Sequence, residues 1–511
     1  MTRSTAESSA ESRAFALIGA GAGARLAGLG AGALLGVATT ALAVRLLEPS
    51  LYGFLAFSIS VMSTIAMFCR LGLEPGLARE ATMGRDGEGL LPHAAAHGAL
   101  SLVALSTVAG GIVTAAIVLA GPAPVSLPTR LGFVGMLCLL LYASNAAAVA
   151  VAIARGLGRM MVMELPNLVL TTGKFVVIAV LFAAGTASIG AIAVGYAGAA
   201  IVTAALSMFV VDRITSSKTS LIPSPSAALL AGRRYLPFAV VILGTITISR
   251  FDVMILGLTA SSRTVGIYEP TLKIVEQLML LVPMVAVAPF LPAATSLFKR
   301  GDHVALKELF VSTSKLVYIA SFPAVVMVAA FEESLFGALY GRDFPLESVI
   351  PSVLLVGFVA NLAAGLNSSV LATIGDRGSL FKVGVGTSAA MAILALVLVP
   401  WLGATGAALA TSATYVFLNL LTGMAVFAMS GLHPFRGDMI GTVLSSALPL
   451  GVALWLGNAM ESGLVVAVCW SLLLWVAWCT LLLGFRLVAI SEVRRLLPGG
   501  NRLSNKEDLP G

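Results

Sequence analysis

Apolar runs of about twenty residues, separated by short polar intervals, make up most of the chain. That is the length a helix needs to cross a hydrocarbon core of about 30 Å. The runs lack the apolar/polar alternation of a barrel strand. A backbone in lipid must also satisfy its own hydrogen bonds, so the pattern predicts helices. Fourteen spans are read, near 25–44, 51–69, 94–119, 131–153, 165–184, 188–211, 236–258, 270–291, 309–331, 348–370, 380–399, 403–429, 438–457 and 464–485. The predicted fold class is an all-α polytopic membrane protein with two six-helix lobes and two added C-terminal helices.

Composition agrees with this reading. Of 511 residues, 58% are hydrophobic and only 11% charged, too few charges to cover a water-facing surface. Residues 1–17 carry Arg3, Glu7, Glu11 and Arg13 with no apolar core, and read as a polar tail. Cys69, Cys138, Cys469 and Cys479 all lie in apolar runs, which predicts buried free thiols.

The 31 Lys and Arg residues give the runs an orientation. With the N-terminus inside, 24 fall on the cytoplasmic side, among them Arg70, Arg79, Arg85, Arg155, Arg213, Arg234, Lys299, Lys315 and Arg436. Only Arg45, Arg130, Arg263 and Arg342 fall outside, while Lys174, Arg250 and Lys273 lie within or close to the membrane. That bias is the positive-inside rule, and it predicts both termini in the cytoplasm of a bacterial inner-membrane protein. The net charge of +7 is therefore topological, and no nucleic-acid partner is expected.

The two halves echo each other. "LLEPSLYGFLAFS" around Gly53 resembles "LTASSRTVGIYEPTLK" around Gly266, an offset of 213. Segments around Gly158 and Gly375, and around Gly190 and Gly406, repeat at offsets of 217 and 216. Each offset spans six helices, so the repeats share one orientation and place a substrate path between two lobes. The predicted organisation is a tail over 1–17, an N-lobe over 18–211, a Ser/Pro-rich cytoplasmic linker over 212–235, a C-lobe over 236–430, helices 13 and 14 over 438–488 and a tail over 489–511. The longest outside connection is 332–347, and nothing could house a soluble catalytic domain.

These segments resemble a known family. "AVRLLEPSLYGFLAFSIS" followed by "RLGLEPGLARE", then "SRFDVMILGLTASSRTVGIY", "SFPAVVMVAAFEESLFGALYGRDF" and "LVLVPWLGATGAALATSATY", look like the signatures of the oligosaccharide-lipid flippases of the multidrug/oligosaccharidyl-lipid/polysaccharide exporter superfamily. The resemblance covers roughly residues 20–430. It implies a non-enzymatic flippase that carries a polyprenyl-pyrophosphate-linked oligosaccharide for surface polysaccharide synthesis by alternating access. Polysaccharide polymerases or glycosyltransferases are candidate partners. The added helix pair departs from the twelve-helix pattern and leaves a lipid II flippase or a cation-coupled drug exporter as alternatives. A membrane polymerase or ligase would need a long external catalytic loop.

Charge inside a span costs about 2.5–3.5 kcal/mol on insertion scales, which makes it a functional candidate. Arg250 and Asp252 fall in the seventh span, Lys174 in the fifth, and Glu269, Lys273 and Glu276 run i, i+4, i+7 along the eighth. One reading is a cationic cavity in which Arg250, Lys273, Lys174 and Arg25 meet a pyrophosphate. Asp252, Glu269 and Glu276 would balance that charge or hold a coupling Na+ or H+, and no other cofactor is expected. The competing reading is a salt-bridge ladder near the outer leaflet, with Lys174 snorkelling. Gly28, Gly32 and Gly36 form a small-residue ridge expected to pack closely. His93 and His97 have metal spacing, but Ala94 stands where a zincin glutamate would be, so no metal is expected.

Overall fold

The computed structural model describes residues 28, 30–70, 72–85, 92–121, 124–215, 222–243, 250–433, 437–459 and 463–485. Among the described residues every regular element is an α-helix. The first compact unit comprises Met1–Pro270 and Gly384–Ala407, and the second Thr271–Val383 and Ala408–Gly511.

The helices are α1 (Gly30–Leu46), α2 (Pro49–Cys69), α3 (Leu73–Arg85), α4 (Pro92–Ala120), α5 (Leu127–Gly156), α6 (Met160–Met163), α7 (Leu165–Ala183), α8 (Ile189–Thr215), α9 (Pro225–Leu243) and α10 (Phe251–Thr259). They continue with α11 (Ser262–Lys299), α12 (His303–Ala330), α13 (Glu332–Tyr340), α14 (Val349–Ala364), α15 (Asn367–Ile374), α16 (Arg377–Ser430), α17 (Gly437–Ser445), α18 (Ala447–Ala459) and α19 (Leu464–Gly484). Nine are long and apolar enough to cross a membrane, α17 and α18 together make a tenth span, and α14 and α15, bent by 47°, an eleventh if they count as one broken span. α16 has 54 residues, about 81 Å at 1.5 Å per residue, far more than one hydrocarbon core. It breaks at Gly403, whose φ of 57° and ψ of −130° only glycine adopts readily.

In the first unit α5 lies at the centre. Leu137, Leu140, Ala146, Val149, Ala150 and Ile153 are buried along it against neighbours on α3, α4 and α8. α3 falls between the second and third predicted spans. Its apolar residues Leu73, Leu77 and Ala81 recur every four positions and are fully buried, so it is an amphipathic helix packed beneath α5. Helix α9 begins at Pro225, inside the interval read as a linker, and packs on α3 and α4. By contrast, Gly32 and Gly36 of α1 do not pack closely. A Cβ there would meet nothing within 4 Å, and only Gly28 touches a neighbour, Glu164.

The core of the second unit holds Phe290, Leu306, Phe310, Leu366, Val370 and Val426. α12 also carries α17–α19. Trp478 is 1% exposed and packs against Phe322 with ring centres 4.4 Å apart and planes tilted by 43°, and its Nε1 donates to Ser445 Oγ at 3.0 Å. Trp475 Nε1 donates to the Ile319 carbonyl at 2.8 Å, and Gly457 lies against the Ala330 carbonyl.

Many large apolar side chains face outward, including Leu34, Val194, Trp401, Trp455 and Val465. Of α7 only Pro166, Leu170 and Ile178 are buried. A water-facing surface rarely exposes such contiguous apolar area, and a lipid-facing one requires it. The cysteines are free, as expected, but they are not buried: Cys469 is exposed and the other three are half-buried, all on helices with lipid-facing sides.

Candidate functional site

The predicted ionisable residues separate into distinct settings. Arg250 is not inside a helix. It precedes α10 in the left-handed region, with φ 51° and ψ 18°, a conformation costing a non-glycine residue about 1–2 kcal/mol. Asp252 sits in the first turn of α10, where the helix dipole favours a carboxylate. It is 2% exposed and accepts a 2.5 Å hydrogen bond from Tyr268 Oη on α11.

Glu269 follows Tyr268 on α11. It is also buried, at 6% exposure, and accepts a 2.5 Å hydrogen bond from Tyr52 Oη on α2. Both bonds fall in the short range of charge-assisted O–H···O contacts. Two buried carboxylates of the first unit, on α10 and α11, therefore each meet a tyrosine. Neither tyrosine was singled out by sequence reasoning. The pairing joins residues 217 positions apart, and a tyrosine in an apolar run gives no local signal.

α2 and α11 come close enough for this because of glycine. A Cβ added to Gly53 would lie 1.7 Å from the Ser262 carbonyl oxygen, and one added to Gly266 would lie 1.8 Å from that of Pro49. α10 closes in on the same helix, since a Cβ at Gly257 would fall on the Phe57 ring.

Lys174 lies on α7 with its Nζ 5.7 Å from the ring centre of Tyr196, a buried residue of α8. A cation over an aromatic face gains about 0.5–2 kcal/mol. Lys273 and Glu276 are half-buried on the turns of α11 that belong to the second unit. Arg25 lies outside the described residues. Lys315, counted among the cytoplasmic residues, is 1% exposed inside the second unit.

An ion pair in the first unit also escaped sequence reasoning. Arg234 of α9 meets Glu80 of α3 through Nε and Nη2, both at 2.9 Å, a two-pronged contact that joins the helices. Arg79 lies 5.8 Å from the centre of the Phe238 ring, and Gly76 gives Tyr235 its space. The signal was present in "RLGLEPGLARE", where Glu80 follows Leu73 and Leu77 on one helical face.

Residues 42–349 match a family described as "Polysaccharide biosynthesis protein". No curated protein matches the sequence. Among solved structures, the fold resembles "Lipid II flippase MurJ, inward closed conformation", with 14% identity, a TM-score of 0.65, and 88% of this chain and 96% of that one covered. It also resembles an inward-facing multidrug resistance MATE family transporter of the MOP superfamily, with 16% identity, a TM-score of 0.53, and 81% and 95% covered. A MOP superfamily transporter from Pyrococcus furiosus, described as having a binding pocket of reversed polarity, matches with 15% identity, a TM-score of 0.53, and 81% and 95% covered.

Proposed function

The chain belongs to the polysaccharide biosynthesis protein family, and on that premise we propose that it is a flippase moving a polyprenyl-pyrophosphate-linked oligosaccharide across the inner membrane by alternating access. The observation that carries the reading is the family match over residues 42–349 within a fold otherwise seen in membrane transporters. A lipid-linked sugar needs a polar path for its phosphates and sugars while its tail stays in hydrocarbon. Lys273 and Arg250 are the cations proposed to receive the pyrophosphate, and Lys174 and Arg25 are proposed to add to the positive charge. Asp252, Glu269 and Glu276 balance that charge or hold a coupling Na+ or H+. No step in this function makes or breaks a covalent bond. Fourteen spans and cytoplasmic termini complete the proposal.

Liposomes carrying a fluorescent polyprenyl-pyrophosphate disaccharide test it. An impermeant reductant bleaches about half the label when nothing flips, and should bleach nearly all of it with the protein present. Lys273→Ala should return bleaching to the half-way level, and Lys273→Arg should keep part of the activity because it keeps the charge in a different shape. Full recovery on adding Glu269→Gln and Glu276→Gln to Lys273→Ala would reduce Lys273 to a salt-bridge partner. A second reading, lipid II as cargo, is favoured by the TM-score of 0.65 over 96% of the lipid II flippase. Fluorescent lipid II in the same assay decides between the two.

A further inference from the structure

We propose that the N-terminal ends of α2 and α11 form a clasp that opens in each transport cycle and is latched by the Tyr52–Glu269 hydrogen bond. The proposal rests on the transport reading above, since a carrier that alternates access must part its helices at each end in turn.

The contact has a symmetry that ordinary packing does not require. Gly53 faces the Ser262 carbonyl, and Gly266 faces the Pro49 carbonyl. The same 213 residues separate Pro49 from Ser262 and Gly53 from Gly266. Each repeat thus offers a first-turn carbonyl to the other repeat's glycine, across a local twofold. At Gly53 and Gly266 backbone meets backbone, so this point of contact can part without a rotamer change, while Phe57 of α2 must slide off Gly257 of α10. Weak Cα–H···O contacts are what such a surface offers.

Two positions break the symmetry. The repeat counterpart of Tyr52 is Val265, and that of Glu269 is Ala56. A valine–alanine pair would pack without cost, whereas a buried carboxylate is expensive unless its hydrogen bond is made. The tyrosine and glutamate are 5% and 6% exposed, and their bond crosses from one repeat to the other. The neighbouring pair, Tyr268 and Asp252, ties α10 to α11 within the second repeat. α10 and the outer end of α11 are thereby joined as one body, and Tyr52–Glu269 is the tie across the gap. A separable surface with a directional latch is a bistable element.

The test reads access and needs no substrate. In full-length protein with its four cysteines replaced by serine, Ser60→Cys places a thiol two turns along α2 on the Gly53 face, at a position 4% exposed. Ser207→Cys, on α8 and fully buried, is the control. An impermeant maleimide added from outside should label both slowly. Tyr52→Phe, which adds no atoms, should speed Ser60→Cys labelling about tenfold and leave Ser207→Cys unchanged. Glu269→Gln keeps an acceptor and should have the smaller effect. The double variant should not exceed Tyr52→Phe, because both changes break one bond. Gly53→Ala forces the ends apart and should give the largest rise. Unchanged Ser60→Cys labelling in Tyr52→Phe, or an equal rise at Ser207→Cys, would overturn the clasp. A flipping assay that fails while labelling responds as expected would condemn the proposed cargo and leave the clasp standing.

Discussion

The α2–α11 contact and the seam between α12 and α17–α19 hold helices together by opposite means. At the first, side chains are absent at the closest point and backbones approach until Gly53 and Gly266 touch opposing carbonyls. At the second, indole rings fill the space. Trp478 packs at a tilt against Phe322, Trp475 donates to the Ile319 carbonyl, and Tyr318 Oη pairs with Ser446 Oγ at 3.0 Å. Lipid tails are as apolar as leucine, so helix association in a bilayer depends on close packing and hydrogen bonds rather than on escape from water. Both solutions satisfy that rule, but they differ in reversibility. Several directional bonds and interlocked rings must be remade if the seam slides. A glycine surface tied by a directional bond has less to remake when it opens.

Opposite substitutions should therefore damage the two regions. Trp478→Ala empties the seam and should lower stability in detergent by about 3–5 kcal/mol, read as a fall in the unfolding midpoint. Adding bulk at the seam's rim, away from Gly457, should cost far less, and a result the other way round would break the comparison. Glu80→Gln leaves Arg234 of the α3–α9 pair facing a neutral amide and should cost about 1–2 kcal/mol, discounted because Arg234 is 39% exposed. Trp475→Phe removes one interhelical hydrogen bond but keeps most of the ring volume, and should cost about 0.6 kcal/mol, the mean found for such bonds in membranes. Arg70→Ala breaks an i,i+4 pair with Glu74, both about 30% exposed, and should change the midpoint by less than about 0.5 kcal/mol. Reporter fusions at Ser224 and Asp343 should give opposite compartments, which tests the orientation on which the clasp's outer position depends.

The all-helical membrane fold was legible because span length and hydrophobicity are local properties that no tertiary contact needs to supply. The echo between the halves was visible too, as Gly53 and Gly266 keep their offset of 213 whatever surrounds them. α3 was missed because thirteen residues with three buried apolar positions look like a charged loop until α5 covers them. The start of α10 was missed for a related reason, since nothing in "SRFDVM" announces that Arg250 takes a left-handed conformation ahead of the helix.

Sequence by itself determined that this chain is a set of membrane helices, and it singled out rare charges along them. Tertiary structure alone decided what those charges meet. Glu269 reads as the head of a charged stripe, yet it is held by Tyr52 from 217 positions away, and Lys315, one of many basic residues along the chain, is enclosed. The physical reason is range. Hydrophobicity acts residue by residue along the chain, whereas a buried carboxylate depends on a hydroxyl brought to 2.5 Å from 217 residues away.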